Sequence, residues 1–371
     1  MLLSVRLGII FPLDALSWLH KALVSKLQAA CSTKQDRWHG LRRLAIDKTT
    51  VALPESKSLW KSYGCHKGKK GLGPVAVELC CLFDLVSRAP LRYVYDKSAT
   101  SEHKLVKKLT DNIKKHDLLL LDSGFYYCAT FFRIIARKAH FLIPAKKNFR
   151  PRVLQKLGLG DYLCTISDSY NENTIQVRVI FVYRKGFRRR RLVTSLWDPS
   201  LYSAEELAQL YHMRWDIETF YRDFKNTMRA TSWHCQTPAT FQKEILVHMI
   251  SICLIRMAML AAGRMKNAPV SSFSFARALT ETRRFLSSIV SSAKLLPWML
   301  VYGCFIHACA RHRVSFKYGR VFSRNKQEYR KKSRGLERKR PGRKPKFKSI
   351  KPSAPLPEVF NDLKGRCFLL S

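Results

Sequence analysis

The 371-residue sequence predicts an α/β fold, and three observations carry that expectation. Strand-like runs come first: LRRLAIDKTTVALPES from Leu41, with a break into a second strand before Pro54, then Val75 to Val86 and Leu91 to Tyr95, joined by a turn around Arg88 to Pro90. Next, SEHKLVKKLTDNIKK (residues 101–115) repeats its apolar residues at helical spacing behind a serine start signal. Finally, LLLLD (residues 118–122) is a short continuous apolar run, as a strand buried on both faces requires, and it ends on a carboxylate. Strands, a helix and then a buried strand compose an α/β sheet with a helical crossover. The intervening GCHKGKKGLG reads as a loop.

Residues 146–200 change character. Alternating stretches at Tyr162–Ile166 and Ile175–Tyr183, the basic run Arg188–Arg191 and then LVTSLW predict a β-rich insertion. Helices resume at Ser203 and continue to about residue 290, with breaks near Pro238 and Pro269. Between residues 311 and 350 there are 17 Lys and Arg against two Glu, with Pro and Gly interleaved, which predicts a basic, flexible arm.

Sixty-eight Lys and Arg against 26 Asp and Glu give a formal charge of +42. Such an excess repels itself unless a polyanion is nearby, so nucleic acid is the expected partner. With 46% hydrophobic residues the chain can build a real core, which excludes a wholly disordered basic protein. No membrane span is expected: Pro12 and Asp14 break the apolar N-terminus, and the apolar run Ile245–Gly263 contains His248 and Arg256, as a core helix does. Eleven irregularly placed cysteines without a CxxC pair fit a reducing, cytoplasmic setting. Cys304, His307, Cys309 and His312 are too closely spaced for an ordinary zinc finger and read as thiols and imidazoles on a helix.

Ser203-Ala-Glu-Glu206 is a capping box, so a single helix is expected to run from there through ELAQLYHMRWDIETFYRDFKNTM. At about 100° per residue, Tyr211, Arg214, Glu218 and Lys225 share an arc of about 60°, beside an apolar stripe that includes Ile217, Phe220 and Phe224. Asp47 and Asp122 each close an apolar run. Three carboxylates on two strand ends and a flanking helix are a donor set for two Mg²⁺ ions, which activate a water and stabilise the leaving 3′ oxygen of a phosphodiester. Against this stands the plainer reading, in which Arg214 and Glu218 form an ordinary i,i+4 surface pair.

Tyr211-x2-Arg214-x3-Glu218-x6-Lys225 resembles the Y-R-E-K signature of the family-four insertion-sequence transposases, bacterial DDE enzymes with a ribonuclease-H-like core. GLRRLAIDKTT resembles that family's first-Asp strand, usually DG(S/T)T, and LLLLDSGFYY its second, usually D-R-G-F. The likeness spans roughly residues 38–265 in the family's order. It implies a ribonuclease-H-like core in residues 41–145 and 201–310, interrupted by the β-rich insertion 146–200, with a helical remnant in 1–40 and a basic tail in 311–371. It further implies Asp47, Asp122 and Glu218 as catalytic, metal-binding residues, Tyr211, Arg214 and Lys225 as DNA contacts, and Mg²⁺ as cofactor with Mn²⁺ substituting. The implied function is cleavage of transposon ends and strand transfer into target DNA, by a homodimer on double-stranded DNA in the bacterial cytoplasm and nucleoid. Lys48 replaces the family's usual Gly, which puts a cation next to the metal site, and Ser123 replaces the usual Arg. Only 46 residues precede Asp47, so the chain reads as N-terminally shortened. A non-catalytic DNA-binding relic is therefore the alternative, and a stand-alone nuclease a third reading.

Overall fold

Arg42–Ala52 form one continuous 11-residue strand, β1, where the sequence suggested two. The computed structural model describes residues 11–68, 71–146, 148–167, 174–183, 189–292 and 297–314; most of the basic tail lies outside them. β3 (Gly71–Asp84) runs antiparallel to β1, and β4 (Ala89–Lys97) antiparallel to β3. On the other side of β1, β5 (Asp117–Leu121) and β6 (His140–Pro144) run parallel to it. The order β4-β3-β1-β5-β6, with its antiparallel hairpin and parallel pair, is the ribonuclease-H-like arrangement. Part of the expected loop is a further strand, β2 (Cys65–Gly68), paired with the start of β3.

The insertion is β-rich and does not stand apart from the core. β7 (Arg152–Gly158), β8 (Asp161–Ser167), β9 (Thr174–Val182) and β10 (Arg190–Thr194) form an antiparallel series. β10 then pairs with β6, making one sheet of ten strands. Exposed β6 edge groups are thereby paired, which removes the template an open edge offers to other chains.

Strand alternation divides the core in two. Ala45 and Val51 of β1, with Leu118 and Leu120 of β5, face one layer; Leu44, Ile46, Leu119 and Leu121 face the other. Full burial of each β5 leucine contributes about 1.5–3 kcal/mol, enough to fix the register of this short strand. The second layer is covered by α1 (Leu13–Ala30), α3 (Glu102–Thr110) and α4 (Cys128–Ala136). The first is covered by α5 (Ala204–His212), α6 (Trp215–Arg222), α8 (Phe275–Ser292) and α9 (Trp298–Arg311), and α2 (Lys57–Tyr63) adds Leu59.

α7 (Pro238–Met265) contributes to both layers. It is long and apolar enough to cross a bilayer, but 72% of its apolar window is buried, so it serves as the core helix its His and Arg foretold. Thr237 caps it and Pro238 takes a first-turn position, where a missing N–H is harmless. Among the described residues no disulfide joins any of the ten cysteines.

Candidate active site

Parallel pairing of β1 and β5 ends with Ile46 opposite Leu121, so Asp47 and Asp122 are the next residue on each strand and stand level. Asp122 keeps an extended backbone, and alternation turns both carboxylates to the face of Ala45 and Leu120, where α5 and α6 pack. Asp47 does not end its strand as the sequence suggested. β1 continues to Ala52, and it is β5 that stops, opening a cleft beside a mid-strand aspartate.

Glu218 enters this cleft from α6. Arg214 Nη2 donates to Glu218 Oε1 at 2.7 Å, while Arg214 Nη1 lies 3.8 Å from Asp47 Oδ2. One guanidinium therefore spans a strand acid and the helix acid. Its side chain is only 8% exposed, and its Nε is buried without a partner. A surface i,i+4 pair would be worth a few tenths of a kcal/mol; here the guanidinium is buried and also reaches a third group, although Glu218 itself stays partly exposed. Burial disfavours the Arg214 cation, yet Tyr211, Asp122, Asp47 and Glu218 together hold its pKa above the ordinary value.

Asp47 shows the opposite balance. Burial pushes its carboxyl up to about 6; the Lys48 N–H at 2.8 Å and Arg214 pull it down, while Asp122 and Glu218 push it higher. Like charges thus crowd one another around the Arg214 guanidinium. Among the described residues no three His, Cys, Asp or Glu side chains close around a point as a finished metal cage. Hard carboxylate oxygens nonetheless suit Mg²⁺ or Mn²⁺, ions that keep several waters and take few protein ligands. The residues present fit such ions, which Asp47, Asp122 and Glu218 would hold.

The expected single helix is wound unevenly. Met213, Arg214, Asp216 and Ile217 donate to carbonyls three residues back, a tight turn between α5 and α6, and Asp223–Thr227 form a wide π turn. Tyr211, Arg214 and Glu218 still line one cleft of about 610 Å³ with Asp122 and Ser123. Tyr211 is itself buried, and its hydroxyl donates to the Leu121 carbonyl at 3.1 Å, next to Asp122. Lys225 lies off that cleft: its ammonium donates to Thr49 Oγ1 and the Thr50 carbonyl, each at 2.6 Å, further along β1. Lys48, expected beside the acids, alternates to the other face and pairs with Glu78 at 3.4 Å, so it does not crowd Asp47.

Sequence reasoning missed two groups here. Tyr221 of α6 donates to the Asp47 carbonyl at 2.6 Å; its place in the apolar stripe hid that polar end. Lys146, Arg189 and Arg190 line the cleft wall opposite α5. The basic run was visible, but only the pairing of β10 with β6 brings it to the acids. Arg191 donates to the carbonyls of Phe149 and Lys146 at 3.0 and 3.2 Å, tying the loop that carries Lys146 to β10. Trp197 lies outside the cleft, with its indole N–H on the Gln176 carbonyl.

A ribonuclease-H-like sheet with two level strand aspartates and a helix glutamate on one face is the architecture of a DDE enzyme. Residues 38–254 match the transposase DDE domain family, and the chain belongs to that family. It is 26% identical over 274 residues to the transposase InsG for insertion sequence element IS4 of Escherichia coli (strain K12), a match covering 70% of this chain and 61% of that protein. It is 23% identical over 242 residues to a probable transposase for insertion sequence element IS5377 of Geobacillus stearothermophilus, covering 62% of this chain and 60% of the relative. The chain thus spans about three fifths of the length of these curated relatives. Among solved structures, a piggyBac transposase synaptic complex with hairpin DNA aligns with a TM-score of 0.42 and 10% identity, over 77% of this chain and 60% of that one.

Proposed function

We propose that this chain is a DNA transposase that cuts transposon ends with water and joins the freed 3′ hydroxyl to target DNA, using Mg²⁺ or Mn²⁺. The observation that carries the reading is the level placement of Asp47 and Asp122 on one face, with Arg214 bridging to Glu218. A scaffold alone would not justify it, since one fold serves many chemistries.

In this reading Asp47, Asp122 and Glu218 hold the divalent cations. When bound, such ions acidify the attacking water and offset charge on the leaving 3′ oxygen. Water attacks phosphorus, the P–O3′ bond breaks, and a 3′ hydroxyl and a 5′ phosphate result. In the second step that hydroxyl attacks a target phosphodiester and displaces the target's 3′ oxygen. Arg214 leaves Asp47 and takes a phosphate oxygen, for which its planar fork is suited. Tyr211 holds the strand end that carries Asp122; its one hydroxyl proton goes to the Leu121 carbonyl, and donating to a phosphate oxygen requires it to turn from that bond. Lys225 contributes charge further along β1, and Lys146, Arg189 and Arg190 hold the backbone on the opposite wall. Two ends joined in concert require two such sites, so the acting species is a homodimer on DNA in the bacterial cytoplasm.

The test is cleavage of duplex DNA with and without the element's terminal repeat, in Mg²⁺ or Mn²⁺, with Glu218→Ala as the blank. Repeat-dependent nicking that vanishes in the blank supports the proposal. DNA binding without divalent-dependent cutting would identify a non-catalytic relic instead, and cutting indifferent to the repeat a stand-alone nuclease.

A further inference from the structure

Behind the Glu218 helix lies a second set of charges that the chemistry above does not use. Asp216, in the tight turn before Glu218, forms an ion pair with Arg88 Nη2 at 2.9 Å. Asp223, the first residue of the π turn after it, accepts from Arg256 Nη2 at 3.2 Å. Arg88 stands in the β3–β4 turn with φ of 55°, a backbone conformation uncommon outside glycine. Arg256 rises from the middle of α7, is 2% exposed and lies 4.5 Å from the Phe275 ring centroid. The four groups act on one another: burial raises the pKa of Asp216 and of Asp223, and Arg88 and Arg256 both oppose that rise. Burial, with Arg88 beside it, lowers Arg256 to about 10.

Stability does not account for this arrangement. A buried ion pair is commonly worth no more than the apolar side chains that would replace it, and both guanidiniums here keep a buried Nε without a partner. Geometry does account for it. Each residue of three-ten winding advances the helix about 20° beyond α winding, which at the radius of a side chain displaces a carboxylate by about 2 Å. Metal ligation tolerates about a tenth of that. The apolar stripe of Ile217, Phe220 and Phe224 resists such rotation weakly, because apolar contact has no preferred direction. Ion pairs are directional, and these two grip the helix at both points where its winding changes.

We infer that Arg88 and Arg256 are positioning residues that set the rotational phase of Glu218 through Asp216 and Asp223; the inference rests on the proposal that Glu218 holds a metal ion.

The experiment uses the full chain and three readouts: Mn²⁺ affinity by electron paramagnetic resonance, amide exchange of residues 215–222, and thermal midpoint. Arg88→Met and Arg256→Met are expected to weaken Mn²⁺ at least tenfold and to accelerate exchange in 215–222, with exchange in α5 unchanged. Arg88→Lys, which keeps the charge, is expected to recover most of the affinity. The apolar pair Arg88→Met with Asp216→Leu is expected to recover the thermal midpoint while Mn²⁺ stays at least tenfold weaker. Recovery of both by that pair would reduce the clamp to ordinary packing and overturn the inference, as would wild-type affinity and exchange in both single Met variants. If the wild-type chain bound Mn²⁺ no better than Glu218→Ala, the metal assignment would fail. The exchange of residues 215–222 would then decide the clamp alone: faster in the Arg variants supports it, unchanged overturns it.

Discussion

The Tyr221 hydroxyl donates to the main-chain carbonyl of Asp47 at 2.6 Å. Tyr211 does the same to the carbonyl of Leu121, immediately before Asp122. Each strand aspartate is therefore strapped by a tyrosine, Asp122 by one from α5 and Asp47 by one from α6, the helix that carries Glu218. The straps lie 10 residues apart on either side of Arg214 and Glu218, so strand and helix acids are held as one unit.

Tyr221→Phe keeps the ring in the core and removes the bond to the Asp47 carbonyl. About 1 kcal/mol of stability should be lost, measured by urea denaturation. Single-turnover cleavage should slow more than DNA affinity falls, because the strap positions Asp47 rather than touching DNA.

Asp47→Ala, Asp122→Ala and Glu218→Ala should each slow divalent-dependent cleavage on the order of a thousandfold, about 4 kcal/mol of transition-state stabilisation. DNA affinity in gel-shift titrations should hold or increase, since each change removes a negative charge from a cleft that admits phosphate. Loss of binding in step with cleavage would point to damaged folding.

Arg214→Gln separates two roles. Without the guanidinium that now spans Asp47 and Glu218, Mn²⁺ should bind several-fold more tightly, because a competing cation is gone. Cleavage should nevertheless slow, as the phosphate contact proposed for Arg214 is lost. Weaker Mn²⁺ binding would show that Arg214 preorders the acids instead of competing for them.

Lys146→Ala and Arg190→Ala should weaken duplex binding evenly across sequences and flatten its salt dependence. Each lost phosphate contact should reduce the log-log slope by roughly 0.9. A change in sequence preference would mean that this wall reads bases.

Stability should fall as pH drops from about 6.5 to 4. Burial holds the folded-state pKa of His20 and of His248 down to about 4, whereas the unfolded chain protonates near 6.5. The unfolded state therefore binds protons first, and the stability present above pH 6.5 is lost as pH falls through the folded value. Each group contributes about 3 kcal/mol over that window, and His248→Phe should flatten the denaturation profile there.

Local pattern determined a good deal of this protein. The apolar run Leu118–Leu121 is a buried strand because nothing polar interrupts it, and the capping box at Ser203 starts α5 as its side chains dictate. Residue spacing also nominated Asp47, Asp122 and Glu218 together, and the charge excess pointed to a polyanion. Tertiary structure decided the rest. Whether Lys48 stands beside Asp47 depends on alternation within a strand the sequence had split, and Lys48 turns to Glu78 instead. The pairing of β10 with β6 that delivers Arg190 and the reach of Arg88 and Arg256 to Asp216 and Asp223 join residues far apart in the chain. Such contacts depend on register and helix phase, which packing sets across the whole sheet and which no local window of residues contains.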